Sequence, residues 1–186
     1  MSKGKMFVIS GASGVGKGTV LARIMAKRDD LTFSVSATTR SPRPGEVDGR
    51  EYYFLDRARF EEMIRENAFL EYDEHAANYY GTPRRQAEEK MERGHVLLDI
   101  EPNGAAAVKR SAPEATLIFI MPPSREELER RLRSRGDTSE EQIIKRMKRA
   151  AWEMDQSVWY DYVVINNQVE ACANQILEII ADKADK

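Results

Sequence analysis

The stretch Gly11-Ala12-Ser13-Gly14-Val15-Gly16-Lys17-Gly18-Thr19 constrains this chain more than any other. It follows the apolar run Met6-Phe7-Val8-Ile9 and leads into Val20-Leu21-Ala22-Arg23-Ile24-Met25-Ala26, which reads as a helix. Strand, glycine-rich turn and helix in that order are the sequence form of a P-loop. Glycines let the backbone curl so that successive N–H groups converge on one point. The positive end of the helix dipole adds to the attraction for an anion there. Lys17 brings a full charge to the outer phosphates of a nucleoside triphosphate. Gly18 stands where Ser or Thr usually ligates Mg²⁺, and Thr19 cannot be assumed to replace it. The metal is therefore expected to be held by ATP phosphates and water. The bland alternative is a glycine-rich turn with a chance lysine, and the flanking strand and helix weigh against it.

A length of 186 residues suits one domain with insertions, or a core with mobile subdomains. Hydrophobic residues make up 41%, enough for a core, and charged residues 32%. No apolar run approaches the ~20 residues a membrane span needs. Met1-Ser2-Lys3-Gly4-Lys5 passes directly into a strand, without the hydrophobic segment of a signal peptide. A cytoplasmic protein with no membrane partner is the expectation. The lone Cys172 excludes an internal disulfide, and neither His75 nor His95 has a partner at metal-ligand spacing. A net charge of −2 gives no global pull toward nucleic acid, so any anion site must be local. Oligomeric state is open between monomer and homodimer.

Along the chain, Phe33-Ser34-Val35-Ser36 alternates like a strand, and residues 38–50 are rich in Thr, Pro, Arg and Gly, as a loop is. A strand is expected at Glu51-Tyr52-Tyr53-Phe54, then a helix capped by Asp56 with Phe60, Met63 and Ile64 on one face. Tyr79-Tyr80-Gly81 breaks the pattern, and Thr82-Pro83 reads as an N-cap followed by proline at the first helical position of a helix reaching about Glu92. Near-continuous apolar runs at residues 95–100 and 116–121 read as buried parallel strands. Pro122-Pro123 stops the second. Ser124 with Glu127 fits a capping box for a charged helix to about Arg135, and Ser139 with Gln142 a second cap before a helix from Ile143 to Met154. Tyr162-Val163-Val164-Ile165 forms a last strand, and a final helix turns Ile176, Leu177, Ile179 and Ile180 toward a core. Strands alternating with helices imply an α/β protein: a parallel sheet flanked by helices. Ligands of such sheets bind beyond the carboxyl ends of the strands, where the P-loop, Asp99, Glu101 and Asn166 all fall. Residues 33–84 and 124–149 read as insertions on a core of residues 1–32, 85–123 and 150–186.

Phosphoryl transfer depends on positioning and charge neutralisation more than on a dedicated nucleophile. Arginines outside the P-loop are therefore informative: Arg40, Arg43 and Arg50 in the loop, and Arg131, Arg135 and Arg146 in the second insertion. Arginine's planar fork matches phosphate oxygens two at a time. On charge alone, residues 125–149, which carry both signs, read more readily as a solvated helical pair.

At this point the chain resembles a known family. The P-loop is similar to that of guanylate kinases. The resemblance continues through residues 34–46 (Ser34-Val35-Ser36-Ala37-Thr38-Thr39-Arg40-Ser41-Pro42-Arg43-Pro44-Gly45-Glu46) and Asn78-Tyr79-Tyr80-Gly81-Thr82. It reappears in Leu98-Asp99-Ile100-Glu101, Arg131-Leu132-Arg133-Ser134-Arg135-Gly136 and Lys145-Arg146-Met147, and so covers essentially the whole chain in family order. The resemblance implies the reaction ATP + GMP ⇌ ADP + GDP with Mg²⁺, on a parallel-sheet core with a GMP-binding insertion and a mobile lid. It implies that Gly11 through Thr19 bind ATP, and that Ser36, Arg40, Arg43, Tyr52 and Tyr80 grip the GMP phosphate. Glu71 and Thr82 would read guanine, with Asp99 nearby and in reach of the metal through water. Arg131, Arg135 and Arg146 would clamp the ATP phosphates and the transferring group alongside Lys17 and Arg43, and Asn166 would meet adenine.

Bland readings stand beside these. Glu71 lies in the acidic run Glu71-Tyr72-Asp73-Glu74, Thr82 suits a helix cap, and Tyr52 and Tyr80 suit packing. Departures from the family pattern are Asn103 for a usual Gln, Asn167-Gln168 for a more acidic pair, and Ala12 for a common Pro. Two rival classes are a catalytically silent scaffold of the same fold, and a kinase for a phosphorylated sugar such as ribose bisphosphate. The first expects a damaged P-loop and the second has no use for Glu71 and Thr82.

Overall fold

The structure, a computed structural model of the chain, describes residues 4–75, 77–134 and 139–184. Its elements run β1 (Met6–Gly11), α1 (Lys17–Met25), β2 (Leu31–Phe33), β3 (Ala37–Thr38), β4 (Tyr53–Phe54), α2 (Arg57–Arg65), β5 (Phe69–His75), β6 (Asn78–Pro83) and α3 (Arg84–Met91). There follow β7 (His95–Asp99), α4 (Pro102–Ser111), β8 (Thr116–Met121), α5 (Arg125–Arg133), α6 (Glu140–Asp155), a 3-10 turn (Gln156–Trp159), β9 (Tyr162–Ile165) and α7 (Val169–Ala184). A five-stranded parallel sheet has the order β2-β7-β1-β8-β9, and a four-stranded sheet the order β4-β3-β6-β5. The chain divides into two compact units: Met1–Met6 with Asp30–Ala115, and Phe7–Asp29 with Thr116–Lys186.

In the second unit, β1 pairs with β8 from Phe7 opposite Thr116 to Gly11 opposite Ile120, and β8 pairs with β9 from Ile118 opposite Tyr162 to Met121 opposite Ile165. Phe7, Val8, Ile9, Leu117, Ile118, Phe119 and Ile120 are all buried, which is why these runs show no polar alternation. α7 packs on α1 and buries Cys172, Ala173, Ile176 and Ile180, a stripe at helical spacing, while Leu177 and Ile179 are half-buried. Ser124 caps α5 by accepting the Glu127 N–H, but the Glu127 carboxylate is taken by Arg130 and Arg131 and does not turn back on the cap. At α6 both bonds of the Ser139–Gln142 capping box form.

In the first unit, β2 pairs with β7, while β3 joins β4 in parallel and β6 in antiparallel fashion, and β5 and β6 form a hairpin. Phe60 of α2 stacks on Phe69 at 4.4 Å and Tyr79 at 5.1 Å, with Ala37 buried in the same cluster. Asp56 caps α2 by accepting the Arg59 N–H.

Several local expectations are corrected here. Residues 34–36 are not strand. The Ser34 N–H bonds Leu97 O while Ser36 O accepts the Tyr53 N–H, so the chain passes from one sheet to the other across them. Tyr79-Tyr80-Gly81 is no break but part of β6, an inner strand of the smaller sheet. Pro83, not Thr82, is the N-cap of α3, because the Thr82 backbone is still paired in β6 and its hydroxyl is engaged elsewhere. α4, which no apolar periodicity announced, opens with Pro102 at its first position.

Candidate active site

In the second unit the turn between β1 and α1 has the geometry an anion requires. Gly14 and Gly16 adopt φ values of 89° and 92°, which side-chain-bearing residues rarely adopt. Gly14 has a second reason to lack a side chain, because a Cβ there would lie 2.5 Å from Leu132 Cδ2 on α5. Gly16 is the N-cap of α1 and provides no side chain to cap it, so the amides of the first turn point outward from an uncapped positive dipole end. Lys17 is the first helical residue. Beside Gly18 there is open space.

Two side chains brace the loop from beneath. The Asn166 Nδ2 donates to Val15 O at 2.8 Å, and Arg131 Nη1 donates to Val15 O at 3.3 Å and to Asn166 O at 3.0 Å. Glu127 accepts Arg131 Nε at 2.7 Å. Arg130 and then Arg131 hold the Glu127 carboxyl down to about 2. Asn166 is 1% exposed, and its buried Oδ1 has no hydrogen-bond partner among the described residues. Arg146 is half-buried on α6, and Arg135 lies outside the described residues.

In the first unit the predicted side chains form two groups. Arg40 donates from Nη1 and Nη2 to the Glu46 carboxylate at 3.0 and 2.9 Å, and lies 5.5 Å from the centre of the Tyr52 ring. Tyr52 and Tyr80 meet edge-on at 6.1 Å. The hydrogen bonds that Arg40 donates to Glu46, aided by the Tyr80 hydroxyl, raise its guanidinium above its ordinary value. Glu46 also accepts the Arg43 N–H at 2.7 Å, so one carboxylate sets both the arginine fork and the loop. The sequence reading gave Glu46 no role. Its signal is a carboxylate in the same loop as Arg40, Arg43 and Arg50. Burial, then the neighbouring Tyr80, pushes the Tyr52 hydroxyl up. Ser36 is half-buried, and Arg43 is exposed.

The second group is centred on Glu71 of β5, which is 8% exposed. Its Oε1 accepts the Thr82 hydroxyl at 2.5 Å, and burial pushes its carboxyl up to about 7 against the opposing pull of Thr82. Room for this carboxylate comes from Gly104 on α4, where a Cβ would lie 2.8 Å from Glu71 Oε2. Asp99 ends β7 and Glu101 is the N-cap of α4. Among the described residues no three His, Cys, Asp or Glu side chains cluster to hold a metal. Among the described residues no helix is long and apolar enough to cross a membrane.

A strand ending in a glycine cradle at a helix N-terminus, within a parallel sheet, defines a P-loop nucleotide-binding protein of the α/β class. A sequence model of the family described as guanylate kinase matches residues 3–183. The guanylate kinase of Thermus thermophilus is 52% identical over 179 residues, covering 96% of this chain and 81% of that protein. That of Prochlorococcus marinus is 46% identical over 177 residues, covering 95% and 96%. The crystal structure of guanylate kinase from Anaplasma phagocytophilum superposes with a TM-score of 0.77 at 35% identity, over 100% of this chain and 88% of that one. The chain belongs to the guanylate kinase family.

Proposed function

We propose that the protein transfers the γ-phosphoryl group of ATP to GMP, giving ADP and GDP. The observation that carries the acceptor assignment is the buried Glu71–Thr82 pair. A carboxylate at this depth is costly unless it meets donors. Guanine presents two, the N1–H and the 2-amino group, and adenine lacks both. On binding, those donors favour the ionised carboxylate and draw its pKa down from about 7. Adenine would leave the carboxylate unpaired, which is the strongest form of discrimination such a site has.

Arg40, Tyr52 and Tyr80, whose contacts with one another support this reading, take the GMP phosphate together with Arg43 and Ser36. Gly11 through Thr19 take the ATP phosphates, with Lys17 on the outer ones. Asn166 is assigned to the adenine end through its unpartnered Oδ1, an acceptor suited to an exocyclic amine. Residues 33–84 serve as the acceptor-binding insertion and residues 124–149 as the lid. Magnesium would enter as part of the MgATP substrate and offset phosphate charge, and Asp99 is the residue assigned to reach it through water.

The chemistry is an in-line displacement. A GMP phosphate oxygen forms the new bond to the γ-phosphorus, the bond from that phosphorus to the β–γ bridging oxygen breaks, and the charge left on that oxygen stays with ADP. No proton need pass to the protein. Lys17, Arg131, Arg135 and Arg146 are assigned to neutralise the charge as it moves, and lid closure excludes the water that would otherwise hydrolyse ATP. A cytoplasmic enzyme, monomeric or homodimeric and without nucleic-acid partners, is the accompanying proposal.

The direct test is an ADP-release assay with MgATP and a panel of acceptors. GMP is expected to be the preferred acceptor. Efficient use of AMP or a ribose phosphate, with GMP inert, would contradict the proposal.

A further inference from the structure

α6 carries a buried carboxylate that the chemistry above does not use. Glu153, near the C-terminal end of the helix, is 3% exposed, a setting acidic side chains occupy only when partnered. Its Oε2 accepts the backbone N–H of Ser13 in the P-loop at 2.6 Å, and its Oε1 accepts Arg149 Nε at 3.0 Å. The Ser13 N–H and the Ala12 carbonyl belong to one rigid peptide plane. The Ala12 carbonyl in turn accepts the Val15 N–H at 2.9 Å, the bond that closes the turn. That single peptide is thus gripped at both ends, by Glu153 on one side and by the loop's own backbone on the other.

We propose that Glu153 is a positioning residue that sets the P-loop for the triphosphate, a role that rests on reading this loop as the ATP site. A negative charge behind a phosphate-binding loop opposes the ligand's charge, so its value must be geometric, and Arg149 offsets it. The anchor sits on the same helix as Arg146, about two turns further along and on the same stripe. α6 spans 16 residues, about 24 Å. It therefore runs unbroken from the proposed lid to the loop: the helix that brings an arginine to the phosphates also fixes the amides that hold them.

The test compares Glu153→Ala with Glu153→Gln, which keeps a carbonyl acceptor for Ser13 and removes the charge. The readouts are KM for ATP and for GMP, and calorimetric binding of GMP and of the magnesium complex of a non-hydrolysable ATP analogue. Losing a charge-assisted bond at this site is expected to raise KM for ATP about tenfold or more, with kcat lowered and the GMP dissociation constant within about twofold of wild type. Glutamine is expected to restore most of the ATP affinity. Should the alanine variant fail to fold, Glu153→Asp, which withdraws the acceptor by one methylene, is expected to show the same split. An unchanged KM for ATP overturns the proposal. So does an equal rise for both substrates, which marks a general fold staple, or a glutamine variant as impaired as alanine. Wild-type protein that binds GMP but no ATP analogue would overturn the ATP assignment itself, and the proposal with it.

Discussion

In the P-loop unit, one contiguous turn between β1 and α1 presents backbone amides, and its specificity is for phosphate. In the Glu71 unit the proposed site is made of side chains drawn from β4's approach, β5, β6 and the loop before them, with Glu71 and Thr82 assigned to the base and the rest to its phosphate. A site made of backbone is tuned by where side chains are absent, as at Gly14 beneath Leu132. A site made of side chains is tuned by what surrounds them, as with Glu71 between Thr82 and Gly104. The first attracts any triphosphate. On the proposed reading the second must choose, and the burial of Glu71 is the feature that would let it do so.

The contrast breaks most visibly at Lys17. Lys17→Ala is expected to lower kcat by about a thousandfold or more, since charge stabilisation of the moving phosphoryl group is lost, while GMP affinity stays within about twofold. Turnover assays beside GMP calorimetry check this, and retained turnover would remove the lysine from the chemistry.

A smaller effect probes the other unit. Gly104→Ala places a Cβ 2.8 Å from Glu71 Oε2, and the carboxylate must move. KM for GMP is expected to rise about tenfold, the scale of one charge-assisted hydrogen bond, with KM for ATP unaffected. Equal change in both constants would show that α4 acts on the fold and not on base reading.

The smallest expected effect is in pH. The Glu71 carboxyl stands at about 7 in the ligand-free fold, above its ordinary value of 4.5. A raised value means that this group favours the ligand-free fold most below its unfolded pKa, and that the contribution is lost as pH rises through about 7. Guanine requires the ionised form, so GMP affinity is expected to increase by up to roughly tenfold between pH 6 and pH 8 beyond the change due to the phosphate itself. Calorimetry of wild type and Glu71→Gln across that range separates the two, because the phosphate contribution is common to both. Identical pH profiles would place the ionisation elsewhere.

Legibility in the sequence followed the same division. The P-loop could be read outright because its residues are adjacent and its glycines have one physical purpose. The parallel strands could be read because Phe7 to Ile9 and Leu117 to Ile120 are buried on both faces and therefore lack polar residues. The smaller sheet was harder. Tyr79-Tyr80-Gly81 looks like a break because glycine disfavours strands, yet pairing with both β3 and β5 holds it extended. Thr82 followed by proline resembles a cap, and only the hairpin register, which sets Glu71 opposite Thr82, reveals the hydroxyl's partner. Glu46 lies within six residues of both its partners, Arg40 and Arg43, and was there to be read; no local pattern could disclose Glu153, whose partner Ser13 is brought in by tertiary structure. The arginines of the proposed lid were visible as charge, but not which of them would be taken up by the protein: Arg131 braces Val15 and Asn166.

The most direct measurement of the central claim is kcat/KM for GMP, IMP and AMP in wild type and in Glu71→Gln. IMP keeps the N1–H and lacks the 2-amino group, so wild type is expected to rank GMP above IMP above AMP. In the variant, which turns an amide donor on guanine's donors, the preference for GMP over AMP is expected to shrink by about a hundredfold or more. A variant that kept the wild-type ranking and ratios would show that Glu71 does not read the base.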